Sequence, residues 1–206
     1  VTAFDRGLLG HRCWLELATG ERVDLPVDRW TAIPCDGDDV LLDACDGPTL
    51  DVGCGPGRLT AALSERGVAS LGVDISATAV RLTHARGAAA LHRDVFDRLP
   101  GEGRWRHILL ADGNIGIGGD PLRLLARMAE LVGDGGTVLV ELDPPGRGIR
   151  QDRVRLRPGS DDTGSAWFTW AWVGVEAIAE LAARTAFRVV WAIRRDHRWF
   201  ACLEKA

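Results

Sequence analysis

Leu50-Asp51-Val52-Gly53-Cys54-Gly55-Pro56-Gly57 ends a short apolar run and opens a turn punctuated by glycine. Residues 49–54 have strand character, residues 58–66 are helix-forming, and Gly67 closes them. Strand, glycine turn and helix N-terminus therefore follow in that order. Glycine lets a backbone approach a ligand closely, and the first amides of a helix favour an anion. Asp74 ends the next strand, residues 70–74, where a carboxylate accepts hydrogen bonds from ribose hydroxyls. The spacing is Gly53-x-Gly55-x-Gly57, not GxGxxG, and the third dinucleotide glycine would fall on Arg58. No pyrophosphate need be invoked, and the carboxylate of an amino-acid moiety satisfies the same amides.

Working outward, the rhythm repeats. Ser76 caps a helix over residues 77–86 that Gly87 closes. Residues 89–94 read as a third strand and 105–112 as a fourth, which runs into the glycine-rich loop 113–119. Asp120 and Pro121 start a helix that reaches about residue 132, and residues 137–142 form a fifth strand. Such alternation predicts a parallel sheet with right-handed crossovers. The end departs from it. After a helix over 175–185, residues 187–193 and 198–203 are strand-like and joined only by 194–197. So short a link cannot cross over, so the two strands form an antiparallel hairpin.

The opening segment is different again. Residues 13–17 and 22–27 alternate about the turn 18–21, a hairpin with Pro26 marking an edge. Asp36-Gly37-Asp38-Asp39 then reads as a turn and helix start. The expected division is an N-terminal appendage over 1–46, placed to cover an acceptor, and a ligand-binding domain over 47–206.

Composition narrows the function classes. The 206 residues are 46% hydrophobic and 26% charged, with a net charge of -4. Nucleic-acid binders carry a basic field, and none is implied here. The basic run 147–157 reads as a solvated loop. The five cysteines include no CxxC pair, so reduced thiols and a cytoplasmic location are expected. His84, His92 and His107 have no neighbouring ligand set, so no metal is expected. No apolar run reaches membrane-spanning length.

With these residues in place, the chain resembles the class I S-adenosylmethionine-dependent methyltransferases. Residues 50–60 look like motif I of that family and Gly72-Val73-Asp74-Ile75-Ser76 like motif II. Arg93-Asp94-Val95 is similar to the segment after the third strand, and residues 107–114 to the fourth-strand motif. The resemblance implies a Rossmann-like, doubly wound, seven-stranded α/β sheet, mostly parallel with an antiparallel C-terminal strand. It implies S-adenosylmethionine as cofactor and S-adenosylhomocysteine as product. Gly53, Gly55 and Gly57 would pass under the methionine moiety, beside Asp51. Asp74 would hold the ribose, with Ile75 against the adenine and Asp94 and Val95 at its edge. Asp112, Gly113 and Asn114 would line the methyl side.

The acceptor is less legible. Asp143-Pro144-Pro145 follows the fifth strand and is trailed by Gly146, so it is not the Asn/Asp-Pro-Pro-aromatic box of base-directed enzymes. A small-molecule acceptor is the leading expectation. The alternatives are an RNA or protein methyltransferase and a non-catalytic partner protein that binds the cofactor. A base is needed only for a protonated acceptor, and Asp112, Asp143, His11 and His197 are the candidates. The chain has eight tryptophans and no tyrosine. Trp14, Trp30, Trp167 and Trp170 are expected to wall the acceptor pocket.

Overall fold

Apolar strands that follow amphipathic helices can bury both faces only inside a sandwich of helices, and the chain folds that way. The computed structural model describes residues 4–35, 37–159 and 164–206. Asp36 of the expected turn, residues 1–3 of the appendage and residues 160–163 lie outside the described residues. In chain order come α1 (Asp5–Leu8), β1 (Cys13–Leu17), β2 (Arg22–Asp24), α2 (Val27–Thr31) and α3 (Asp38–Asp43). The βα units follow: β3 (Thr49–Val52), α4 (Arg58–Glu65), β4 (Ser70–Asp74), α5 (Ala77–Ala85), β5 (Ala90–His92) and β6 (Trp105–Leu110). A 3-10 turn, Asn114–Gly119, leads into α6 (Pro121–Leu131) and β7 (Val132–Leu142). The chain ends with β8 (Ile149–Pro158), β9 (Phe168–Val173), α7 (Ile178–Ala183), β10 (Phe187–Arg195) and β11 (Arg198–Lys205).

Seven strands form one sheet in the order β10-β11-β7-β6-β3-β4-β5. The pairs from β5 across to β7 are parallel, whereas β11 runs antiparallel to both β7 and β10. This is the expected doubly wound sheet with its antiparallel ending. Leu50, Ile108, Val138 and Val140 are fully buried in its centre. The stripe Leu124, Leu125, Met128 and Leu131 of α6 covers one face. Leu41, Leu59, Leu63 and Phe200 fill the other. Each such side chain contributes about 1.5–3 kcal/mol of burial. The predicted caps are present: Ser76 Oγ accepts from the Ala79 amide at 3.1 Å, and Asp120 Oδ1 accepts from the Arg123 amide at 3.1 Å.

The basic run departs from expectation. Residues 147–157 are not the expected solvated loop, and most of them lie in β8. That strand pairs antiparallel with β1, Leu15 opposite Leu156, and with β9, giving a second sheet ordered β2-β1-β8-β9. Val154 and Leu156 point into a small core with Leu15 and Leu17, while the arginines between them meet acids. Arg155 donates two hydrogen bonds to Glu16, at 3.0 and 3.2 Å, and Arg157 adds a third. Together they hold the Glu16 carboxyl down at about 2. Arg150 pairs with Glu21 at 2.7 Å. The N-terminal hairpin thus shares its sheet with a segment nearly 140 positions away in sequence. Its second strand is also shorter than expected. It stops at Asp24, and Val27–Thr31 becomes helix after Pro26.

Among the described residues, no helix is long and apolar enough to cross a membrane.

Candidate functional site

A cavity of about 1110 Å³ opens at the carboxyl ends of β3, β4, β6 and β7, with the second sheet over it. Parallel α/β sheets place ligands there because the strand order reverses at that edge. One half of the cavity is built from the turn after β3. Gly53, Gly55 and Gly57 have φ of 70°, 53° and 81°, a region closed to most side chains. A Cβ on Gly53 would fall 2.6 Å from the Asn114 amide, which donates to the carbonyls of Val52 and Gly53. Gly57 is the exception among the expected residues. It lies outside the cavity wall and packs on Thr83 instead.

Asp74 sits at the end of β4 and is half-buried. Its Oδ2 accepts from the Gly55 amide at 3.0 Å and its Oδ1 from the Ser76 amide at 2.8 Å. Burial pushes the carboxyl up, against the pull of those two amides. A carboxylate has about four acceptor positions, so capacity remains for two hydroxyls. Ile75 beside it presents an exposed apolar surface. Asp94 uses Oδ1 to accept from the Phe96 amide at 3.0 Å, shaping a turn at the cavity wall next to Val95. These donors and acceptors fit a nucleoside with an attached amino acid: a diol for Asp74, an apolar face for its base, a glycine cradle for its chain.

Asp51 is buried beneath the loop, and Thr60 Oγ1 donates to it at 2.6 Å. Burial pushes its carboxyl up to about 6. Its geometry is that of a group ordering the turn. Cys54 is buried, with its thiol pushed well above the usual range by desolvation, so it is no nucleophile.

The sequence did not reveal the charge network that floors the other half. Arg58, the first residue of α4, donates to Asp38 and, at 2.6 Å, to Asp112. Arg198 on β11 donates twice to Glu141, at 2.9 and 2.8 Å, and once to Asp38 at 2.9 Å. Arg29 on α2 reaches Asp112 at 2.7 Å. Glu141 accepts the Asp112 amide at 2.7 Å and so holds that residue at φ 53°. Burial raises the Glu141 carboxyl, but the guanidinium of Arg198, with Arg29 beyond it, outweighs this and holds it low. Three arginines and three acids therefore close on one another. One signal was available: an arginine opening a helix opposes the helix dipole and needs a carboxylate nearby.

The base candidates separate. His11 and His197 are exposed and lie outside the cavity wall. Asp112 and Asp143 line it, the first already engaged by Arg58 and Arg29. Trp30, Trp167 and Trp170 line the cavity, and Trp172 joins them. Trp14 does not; Arg22 stacks over its ring at 5.1 Å. It faces the opposite way because neighbouring strand residues alternate, and Leu15 takes the inward position.

Residues 49–136 match the model of a methyltransferase-domain family. No curated protein matches the chain. Among solved structures, the chain is similar to an S-adenosylmethionine-dependent methyltransferase from Bacteroides fragilis in complex with S-adenosyl-L-homocysteine. The TM-score is 0.78 at 21% identity, over 99% of this chain and 93% of that one. It is also similar to the 1,6-didemethyltoxoflavin-N1-methyltransferase of Burkholderia thailandensis, with TM-score 0.59 and 20% identity over 77% and 71% of the two chains. A sugar N-methyltransferase from a Streptoalloteichus species gives TM-score 0.58 and 19% identity over 80% and 82%.

Proposed function

This chain has the class I S-adenosylmethionine-dependent methyltransferase fold, and from that premise we propose that it methylates a small-molecule acceptor with S-adenosylmethionine as donor. The observation that carries this reading is one continuous cavity. Its first half is the Gly53–Gly55 turn with Asp74, and its second half is walled by Trp30, Trp167, Trp170 and Trp172.

When bound, the cofactor supplies an electrophilic methyl on a sulfonium. The chain's own residues supply position. Asp74 would take the ribose hydroxyls, Ile75 would face the base, and Asp94 with the Val95 amide would meet its edge. Asp51 keeps the glycine turn in shape through Thr60. Gly113 and Asn114 line the methyl side, and Asn114 locks the turn to the loop after β6. The second sheet lies over the cavity and would hold a bound acceptor beside the cofactor, the proximity from which the rate effect derives.

The partly covered, tryptophan-walled cavity favours a small molecule. Arg150, Arg155 and Arg157 of β8 are turned to Glu16, Glu21 and Asp152, and Arg153 lies over the Trp167 ring, so little free basic charge is presented to RNA there. Five free thiols support a reducing compartment such as the cytoplasm.

Calorimetric titration with S-adenosylhomocysteine, beside NAD, tests the cofactor assignment. Saturable binding of the first alone is expected. Asp74→Ala removes two charge-assisted hydrogen bonds and is expected to weaken it by about 100-fold. A folded sample that binds neither, or prefers NAD, overturns the proposal.

A further inference from the structure

Three carboxylates line the cavity at the ends of β6 and β7: Asp112, Glu141 and Asp143. The first two are taken up by arginines. Asp112 lies against Arg58 at 2.6 Å and Arg29 at 2.7 Å, and Glu141 is bound in a bidentate pair by Arg198. Asp143 is different. Its backbone is fixed, the amide donating to the Val173 carbonyl at 2.9 Å and the carbonyl accepting from the Val175 amide at 3.0 Å. Its carboxylate, half-buried in the wall, has neither a hydrogen bond nor an ion pair among the described residues. Desolvation pushes that carboxyl up, and the exposed Arg147 only partly offsets it. A half-buried charge without a partner is costly, and a cation supplied by a ligand would remove the cost.

The surroundings indicate what else that ligand carries. The two backbone bonds anchor Asp143 to the end of β9, the strand bearing Phe168, Trp170 and Trp172. Those residues alternate along β9 and so share one face, which lines the cavity. Phe4 from the N-terminal segment packs on it, with ring centroids 5.7 Å from Phe168 and 5.9 Å from Trp170, and Trp30 lies 6.4 Å from Phe4. Aromatic faces take flat apolar bodies by stacking and cations by their negative quadrupole.

Resting on the methyltransferase reading above, we propose that the acceptor is an amine with a flat apolar body, and that Asp143 binds its nitrogen. The ammonium enters paired with the Asp143 carboxylate. One of its protons passes to that carboxylate and on to solvent, which frees the nitrogen lone pair. The nitrogen–carbon bond then forms, and the carbon–sulfur bond breaks with its electron pair going to sulfur. The methylated ammonium is left paired with Asp143. Two cations thus become one cation, a neutral thioether and a released proton.

The probes are 2-phenylethylamine and 3-phenylpropionate, which share a ring and differ in charge. Each is titrated calorimetrically into protein saturated with S-adenosylhomocysteine. The amine is expected to bind more tightly by about 10-fold or more, the worth of one charge-assisted hydrogen bond. Asp143→Asn is expected to abolish that preference while binding S-adenosylhomocysteine as before, which also shows that the variant is folded. Equal affinities, a preference for the carboxylate, or no saturable binding of either probe overturns the proposal. So does a preference that survives in Asp143→Asn. Failure to bind S-adenosylhomocysteine is a separate result and strikes at the cofactor reading instead.

Discussion

Arg29, on the short helix α2, lies 2.7 Å from Asp112, at the end of β6, and ties the N-terminal segment to the floor of the cavity. The contact is an ion pair without an aligned hydrogen bond, since Asp112 Oδ1 has no hydrogen-bond partner. A second tie joins the same segment to the turn after β4, where Ser76 Oγ donates to Asp5 at 2.6 Å. Arg29→Met is expected to lower stability by only about 1 kcal/mol, because Asp112 keeps Arg58. It is expected to raise thermolysin cleavage of residues 4–35 more than that loss implies. An unchanged cleavage rate would show that the pair does not hold the segment down.

Asp38 should matter far more to stability. It is fully buried and faces both Arg58 and Arg198. Burial raises its carboxyl, but Arg58 and the Cys35 amide outweigh that and hold it low. Asp38→Ala leaves two buried guanidinium groups short of a partner and is expected to cost about 3–5 kcal/mol in urea unfolding. The exposed Asp43, paired with Arg66 at 2.6 Å, is the comparison. Asp43→Ala is expected to change stability by less than about 1 kcal/mol. Similar losses at both positions would contradict the account.

Two glycines distinguish strain from collision. Gly57 and Gly113 share a φ of 81°. A Cβ on Gly57 would meet Thr83 at 2.6 Å, whereas one on Gly113 meets nothing within 4 Å. Gly113→Ala is expected to cost about 1–2 kcal/mol, the left-handed backbone term alone. Gly57→Ala carries the same term plus the displacement of Thr83, and its midpoint of denaturation should fall further. The reverse order would refute this.

Stability should decline between about pH 4 and pH 6 through Asp51. Burial raises its folded pKa to about 6, above the unfolded value. The folded state therefore binds more protons in that window, and stability falls as pH rises through it. That rise corresponds to about 3 kcal/mol. Asp74 and Asp143, also raised, act in the same sense. Glu16, Asp38 and Glu141 are lowered, so their contribution is present above pH 4 and lost only as pH falls below it. Asp51→Asn should flatten the decline between pH 4 and 6. An equally steep decline in that variant would remove Asp51 as its cause.

The half of the cavity built on the glycine turn was legible in the chain because it is local. Gly53, Gly55 and Asp74 are brought together by one βαβ unit, and each occupies the place its spacing predicts. The half beneath the second sheet was not. Glu16 and Arg155 are 139 positions apart, and the basic run looked like a loop because its partners lie in the first strand. Val154 and Leu156 did alternate with arginines, which is the strand signal that was available. Trp14 and Trp170 look alike in sequence, and only the alternation of each strand decides which one reaches the cavity.

By itself the amino-acid sequence determined the order of strands and helices, the glycine turn with Asp74 at the next strand end, the caps at Ser76 and Asp120, and the antiparallel ending. These follow from hydrophobic period, backbone freedom and connection length, all properties of neighbouring residues. Tertiary structure alone decided that Asp38, Arg58, Arg198, Glu141, Asp112 and Arg29 neutralise one another, and that Asp143 is left over. Charge pairing depends on distance in space and on the water excluded around it, and a one-dimensional sequence records neither.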